Sequence, residues 1–177
     1  MTLIVHPLLI AAVVVVFVGL VLQIVATATV GWLEISTSNV MYGLWSYCPQ
    51  ISVCNSYGTE VKNILPAIQA CEAFSILSIL SASATIVMCI GHVVQEATKD
   101  ITRRLYITIA FWVNFFSAVC SLICIFVWRF KVGEELGGYL RYSYFLCVAG
   151  LVCFAVSSLL FRIYIRRLVR GSYQVMP

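Results

Sequence analysis

Four long apolar segments constrain this chain more than any other feature of its sequence. Three of them carry no charged residue: 23 residues at 8–30, 24 residues at 105–128 and 20 residues at 142–161. The fourth, at 66–94, contains one acidic residue, Glu72, close to its start. A helix of about 23 residues extends about 35 Å, which is enough to cross the roughly 30 Å hydrocarbon core of a bilayer. The pattern therefore predicts four membrane-spanning helices.

The composition agrees with this interpretation. The 177 residues are 62% hydrophobic and only 10% charged, so there are too few polar side chains to coat a water-soluble globule. We expect one membrane domain over residues 1–170 and a short cytoplasmic tail at 171–177. A cleaved signal peptide is the alternative for the first segment, but no Lys or Arg precedes it, and it is longer than a signal-peptide core. The net charge of +4 does not indicate a nucleic-acid partner.

The basic residues predict the orientation of the chain in the membrane. Seven lie in the second connection or after the fourth span: Lys99, Arg103, Arg104, Arg162, Arg166, Arg167 and Arg170. Four lie in the first and third connections: Lys62, Arg129, Lys131 and Arg141. Because Lys and Arg are in excess in cytoplasmic loops, both termini are predicted to be cytoplasmic, and loops 31–65 and 129–141 extracellular. Short connections between neighbouring spans favour an antiparallel up-and-down bundle.

Small residues follow one face of two spans. In the second span they are Ser75, Ser78, Ser81, Ala82, Ser83 and Ala84, and in the fourth they are Ala149, Cys153 and Ser157. Small side chains let helices approach closely in lipid, so we expect packing seams inside the bundle. Oligomerisation through the same faces is the alternative.

The first loop has the pattern of a β-hairpin. Residues 32–36 and 40–44 show period-two alternation with β-branched and aromatic residues, and the polar stretch 36–39 breaks the pattern between them. We expect a small antiparallel sheet with a further strand after Cys54. In the second loop, Phe130 and Val132 precede a glycine-rich turn and are candidates for an additional edge strand.

Cys48 and Cys54 are the only cysteines in a predicted extracellular loop, a compartment that permits disulfides, and we expect them to be bonded to each other. Two cysteines are too few for a structural zinc site, and His6 and His92 lie at the opposite membrane face. The other six cysteines fall within spans and are interpreted as small packing residues. Cys89, near the cytoplasmic end of its span, is a candidate for palmitoylation.

Three polar residues are candidates for structural contacts. Glu72 is expected at headgroup depth, bonded to loop backbone or paired with Arg141, and an ion-pathway role is the alternative. Asn114, in the middle of the third span, is expected to donate a hydrogen bond to another helix. The chain contains no phosphate-binding glycine loop, metalloprotease motif or nucleophile elbow, so neither an enzyme nor a cofactor is predicted.

The first loop also carries a family resemblance. Between the first and second spans, the chain resembles the W…GLW…C…C signature of the claudin superfamily through Trp32, Gly43, Leu44, Trp45, Cys48 and Cys54. This superfamily includes the peripheral myelin, epithelial membrane and lens fibre membrane protein branches. The resemblance implies a left-handed four-helix bundle topped by an extracellular antiparallel β-sheet. It also implies that the two tryptophans anchor the sheet at the lipid interface, and that the protein acts in cell contacts.

The chain departs from the family pattern at two points, and these departures bear on which branch of the family it resembles. The short spacing between the cysteines resembles the lens and myelin branches, and the chain ends in Tyr173-Gln174-Val175-Met176-Pro177 instead of a scaffold-binding Tyr-Val terminus. We expect a plasma-membrane protein at cell–cell contacts that associates with copies of itself or related tetraspan proteins in cis and in trans. The alternative is an auxiliary subunit of a channel or receptor. A paracellular ion channel is less favoured, because the first loop offers only Glu34, Glu60 and Lys62 as charges.

Overall fold

The computed structural model describes residues 7–35, 39–50, 53–57, 63–94 and 100–173. Its helices are α1 (Pro7–Ala28), α2 (Leu65–Val94), α3 (Asp100–Val127), α4 (Gly133–Leu136) and α5 (Tyr142–Tyr173). Within these residues, four helical segments are long and apolar enough to cross a membrane: Pro7–Ala28, Leu65–Val93, Leu105–Leu136 and Tyr142–Leu168. This confirms the four long apolar helices predicted from the hydropathy pattern.

Two helices extend beyond the ends of the predicted apolar spans. The third span was expected to end at residue 128, but a π-helical turn, Trp128–Val132, connects α3 directly to α4. The helix stops only at Gly137, which has a left-handed φ of 61° and donates its N–H to the carbonyl of Gly133. Similarly, α5 continues past residue 161 to Tyr173. Charged residues end an apolar run, but Lys and Arg are good helix formers and do not end a helix.

A five-stranded antiparallel sheet lies at one end of the bundle. Its strands are β1 (Leu33–Ile35), β2 (Val40–Tyr42), β3 (Ser46–Gln50), β4 (Val53–Ser56) and β5 (Tyr139–Leu140), in the spatial order β4-β3-β2-β1-β5. The predicted hairpin is confirmed as β1 and β2. The additional edge strand does come from the second loop.

The positions of two predicted strands were wrong. Phe130 and Val132 lie in the π-helical turn, and the edge strand forms after Gly137 and Gly138 instead. Gly138 permits this pairing because a Cβ there would lie 2.7 Å from the carbonyl oxygen of Glu34. In the first loop, the fourth strand contains Cys54 instead of following it.

The buried core has two parts. One lies beneath the sheet and includes Trp32, Leu33, Leu44 and Trp128, and the other lies at the opposite end of the bundle around Phe154. Many apolar side chains are exposed along the outer faces of the helices, including Phe17, Leu80, Val87 and Val152. This arrangement suits a bundle whose outer surface contacts lipid instead of water.

Close contacts between glycines bring α1 against α5. A Cβ at Gly150 would lie 3.3 Å from the carbonyl oxygen of Gly19, and a Cβ at Gly19 would lie 2.9 Å from the ring of Phe154. Among the predicted seam residues, Ser78 is buried and its hydroxyl lies 2.8 Å from that of Ser121 on α3. The seam on α2 therefore packs inside the bundle at Ser78, whereas the exposed hydroxyl of Ser81 bonds only to its own helix.

Candidate contact surface

Both loops contribute to the sheet, so the candidate contact surface is one unit. In the pairing of β1 with β5, Leu33 lies opposite Leu140 and Glu34 opposite Tyr139. The pairing continues past the strand, because the N–H of Arg141 donates to the carbonyl of Trp32 at 3.1 Å. Backbone hydrogen bonds therefore hold the second loop against the first as far as the start of α5.

This pairing brings Arg141 to Glu34, with which it forms an ion pair. The alternative in which Arg141 pairs with Glu72 was therefore wrong, because the adjacent strand supplies a closer carboxylate. The Arg141 side chain is 47% exposed, and exposed ion pairs contribute little, typically about 0–1 kcal/mol. We interpret this pair as helping to set the register between the two loops, with only a small contribution to the free energy of folding.

Glu72 lies near Tyr57, which follows β4. Burial raises the pKa of the Tyr57 phenol, and the charges of nearby Tyr42 and Glu72 raise it further. The phenol donates a hydrogen bond to the carbonyl of Gly43. Glu72 therefore lies at the sheet end of α2, within electrostatic range of the Tyr57 phenol.

The two signature tryptophans cap the end of α1. A helix leaves its last four carbonyls without intrahelical partners. The indole N–H of Trp32 donates to the carbonyl of Ala26 at 2.7 Å, and that of Trp45 donates to the carbonyl of Thr27 at 2.8 Å. Because both acceptors belong to the last turn of α1, the sheet and the first span are joined through these side chains.

The two tryptophans differ in environment, contrary to the expectation that both would lie at the lipid interface. Trp32 is fully buried, and its ring centroid lies 4.9 Å from that of Trp128 and 6.4 Å from that of Tyr144. Trp45 is 45% exposed at the surface. Of these two tryptophans, Trp45 is exposed as a residue at the lipid interface would be, whereas Trp32 belongs to the core beneath the sheet.

Gly43 and Leu44 fix the position of the second strand over α1. A Cβ at residue 43 would lie 2.7 Å from the Cα of Val30, so only glycine allows the two backbones to approach this closely. Leu44 is fully buried in the core beneath the sheet. Each residue of the Gly43-Leu44-Trp45 tripeptide thus has a distinct structural role: close approach, core packing and helix capping.

A disulfide between Cys48 and Cys54 joins β3 to β4, which confirms the predicted bond. The strand register places Tyr47 opposite Asn55, so the two cysteines face each other in the next position. The other six cysteines are free thiols, five of them buried, and Cys89 is only 2% exposed. Cys89 lines an apolar groove between α1 and α2, and its low exposure leaves the thiol little access to an acyl donor.

The outer surface of the sheet exposes both of its edges. All four residues of β4 are exposed, including Val53 at 52%, and Tyr139 on β5 is 72% exposed. Phe130, on the adjacent π-helical turn, is 53% exposed. Unpaired edge strands offer backbone hydrogen-bonding groups to another chain. No group of three or more His, Cys, Asp or Glu side chains in the described ranges is arranged to hold a metal ion.

Inside the bundle, two buried amides connect the helices. The two N–H groups of the Asn114 amide of α3 are shared among three acceptors, the carbonyl of Phe154 at 2.9 Å and the hydroxyls of Ser157 and Ser158 at 2.8 and 2.7 Å. Gln23, which the sequence analysis overlooked, is fully buried in α1, and its carbonyl accepts from Ser121 at 3.4 Å. Gln23 is the only amide in the uncharged first segment, and this could have identified it.

The comparison with protein families agrees with this geometry. The model of the PMP-22/EMP/MP20/Claudin family matches residues 6–163, which contain the first three spans, most of the fourth, both loops and the disulfide. A comparison with curated proteins gives no significant match. Since the match extends over nearly the whole chain, this protein belongs to the PMP-22/EMP/MP20/Claudin family.

Proposed function

We propose that this membrane protein acts at contacts between cells, with its sheet on the extracellular side of the plasma membrane. The observation that supports this proposal best is that both loops combine in a single sheet whose two edges, β4 and β5, remain exposed. Backbone pairing, a disulfide and two indole caps hold this sheet on the bundle. A surface fixed in this way loses little conformational entropy on binding.

The distribution of charge supports the proposed orientation. Arg162, Arg166 and Arg167 are exposed on α5 at the end of the bundle that is farthest from the sheet. Basic residues are enriched on the cytoplasmic side of membrane proteins. With the arginine end in the cytoplasm, the sheet faces the cell exterior and the cystine lies in an oxidising compartment.

The partner that we propose is another copy of this chain or a related tetraspan protein, in the same or in an opposed membrane. The exposed side chains of Val53 and Tyr139 would contribute apolar area at opposite edges of the sheet. The ion pair with Arg141 already neutralises Glu34, while Glu60 and Lys62 lie outside the described residues. Nothing in the described part of the first loop therefore favours ion selection over adhesion.

Mixed cultures test this function. Cells that express two differently coloured copies should concentrate the protein at borders with each other and not at borders with non-expressing cells. Val53→Lys and Tyr139→Lys should each reduce this enrichment, because they charge the exposed edges without disturbing the core. The matched control is Arg167→Gln, which also changes one exposed charge but lies at the end of the bundle opposite the sheet. This variant should keep the enrichment. Equal enrichment at both kinds of border would contradict the proposal.

A second candidate function is that of an auxiliary subunit of a channel or receptor. It is favoured by an aromatic group on the outer face of α3, where Trp112 and Phe116 are 62% and 49% exposed. Aromatic side chains often serve as anchors at protein interfaces. Under this function, the protein would co-purify with a larger pore-forming protein from single cells, and Trp112→Leu would weaken that association.

A further inference from the structure

A groove separates α3 from α5 in the half of the bundle opposite the sheet. Its volume is about 290 Å³, and it is lined by Phe111, Phe115 and Ala118 of α3 and by Ala155, Ser158, Leu159 and Arg162 of α5. Phe115 and Leu159 are 47% and 61% exposed, so the groove opens sideways toward the lipid. The Ser158 hydroxyl already donates to the carbonyl of Phe154 and accepts from Asn114. The interior of the groove therefore behaves as an apolar surface.

One end of this groove is basic. Arg162 lies 20 residues after Tyr142, the first residue of α5, which corresponds to about 30 Å along the helix and places the guanidinium at headgroup depth. Arg166 follows one turn later on the same face, and both side chains are exposed. In the described ranges, neither arginine has an acidic partner. Like charges four residues apart on a helix repel each other, so an anion at this position would stabilise the pair.

We propose that this groove binds an anionic phospholipid of the leaflet opposite the sheet. One acyl chain would pack against Phe111, Phe115 and Leu159, and the phosphate would bond to the guanidinium of Arg162. Arginine matches phosphate oxygens with two parallel donors, and basic sites between transmembrane helices bind anionic headgroups. An apolar partner helix would cover the walls of the groove but would leave the two arginines without a counter-charge, whereas an anionic lipid supplies both, which favours a lipid as the occupant.

Native mass spectrometry of the full-length protein tests the headgroup contact. Protein in detergent micelles is supplied with equal amounts of phosphatidylserine and phosphatidylcholine that carry the same acyl chains. We expect phosphatidylserine to be retained in preference, and Arg162→Gln to lower its retention about fivefold, the factor that corresponds to about 1 kcal/mol per basic residue. Arg167→Gln is the matched control, because residue 167 lies about 140° around the helix from residue 162. Equal losses in the two variants would overturn the site in favour of a diffuse basic surface.

A second variant tests the groove without altering any charge. Ala155→Phe fills the groove and should lower phosphatidylserine retention, whereas Val87→Phe, at a side chain 65% exposed on α2 and outside the groove, should not. Unchanged retention in Ala155→Phe would overturn the acyl-chain contact. Glycerophosphoserine, which lacks acyl chains, should not displace the lipid at matched concentration, and displacement by it would also contradict the proposal. An intact Cys48–Cys54 bond and an unchanged helical spectrum show that each variant is folded.

Discussion

At the scale of single residues, the most specific feature is the group of side chains around the last turn of α1. Trp32, Gly43 and Trp45 come from three points in the first loop, and each contacts the segment between Ala26 and Val30. Two of them donate hydrogen bonds, and the third permits close backbone approach. The signature residues thus act mainly on the junction between the first helix and the sheet.

The two indole caps should differ in importance. Trp32→Phe removes a hydrogen bond to a carbonyl in the buried core, and we expect it to lower the free energy of unfolding by about 1–3 kcal/mol. Trp45→Phe should cost less, because water or lipid headgroups can reach the partly exposed acceptor. Unfolding of the purified variants in a denaturing detergent, followed by near-ultraviolet circular dichroism, measures the difference. A larger loss for Trp45→Phe would contradict the structural roles assigned here.

Gly43 provides a sharper steric test. Gly43→Ala places a Cβ 2.7 Å from the Cα of Val30, so the strand must move away from α1, and we expect a loss of about 1–3 kcal/mol. Gly91→Ala is the matched control, since the nearest atom to its Cβ is 3.6 Å away in the Tyr106 ring and alanine favours the helix. We expect reduced surface delivery for the first variant and normal delivery for the second, as measured by surface biotinylation. Normal delivery of Gly43→Ala would show that the backbones can separate without loss.

At this scale, the sequence predicted the covalent bond within the first loop, but it did not predict which of its side chains are buried or which residues they contact. The position of Cys48 and Cys54 as the only cysteines in a predicted extracellular loop was enough to predict the disulfide. The burial of Trp32 was not predictable, because an aromatic residue at a membrane boundary can face lipid or the bundle with the same local sequence. The partner of Arg141 was also missed, since Glu34 becomes its neighbour only through the pairing of β1 with β5.

At the scale of elements, long apolar runs located every span, because a charged side chain at the bilayer centre is costly and the one charge within the runs, Glu72, lies near the end of its span. The same signal could not locate the helix ends, since helical structure continues through Arg129 and Lys131 and stops only where Gly137 adopts a left-handed conformation. The hairpin followed from alternation and a polar turn. The two-residue strand β5 is too short to give any alternation, so its position depends on tertiary pairing.

The disulfide joins two neighbouring strands, β3 and β4. Two single variants and one double variant test whether the two cysteines act as one bond. Cys48→Ser and Cys54→Ser should each reduce surface delivery, because a bond that closes a ring this small contributes roughly 2–3 kcal/mol in the chain-entropy model. The double variant should be no worse than either single variant, since each change already removes the whole bond. Flow cytometry of an external tag measures this effect. Additive losses would mean that the two cysteines act independently in the cell.

At the scale of the whole molecule, the bundle has two unlike ends. One carries the sheet, with its exposed strand edges, and the other carries exposed arginines of α5. The family match over residues 6–163 covers the sheet end and continues along the bundle as far as the start of the arginine end. The proposed contact role belongs to the sheet end, and the proposed lipid site belongs to the arginine end.

The orientation of these two ends can be measured directly. In intact cells, an amine reagent that cannot cross the membrane should label Lys131, which is exposed beside the sheet. It should not label Lys99, which the sequence places in the cytoplasmic connection and which lies outside the described residues. Permeabilised cells are the control, because both lysines should then react. Labelling of Lys99 in sealed cells would reverse the proposed topology and with it the contact role.

The indole caps also impose an order on biosynthesis. The last turn of α1 is capped by a residue that is translated after it, since the carbonyl of Thr27 accepts its hydrogen bond from the indole of Trp45. A nascent chain that stops before Trp45 already contains a first helix long enough to span the bilayer, but it lacks the donor that satisfies the carbonyl of Thr27. Insertion of this helix and completion of its last turn are consequently separate events.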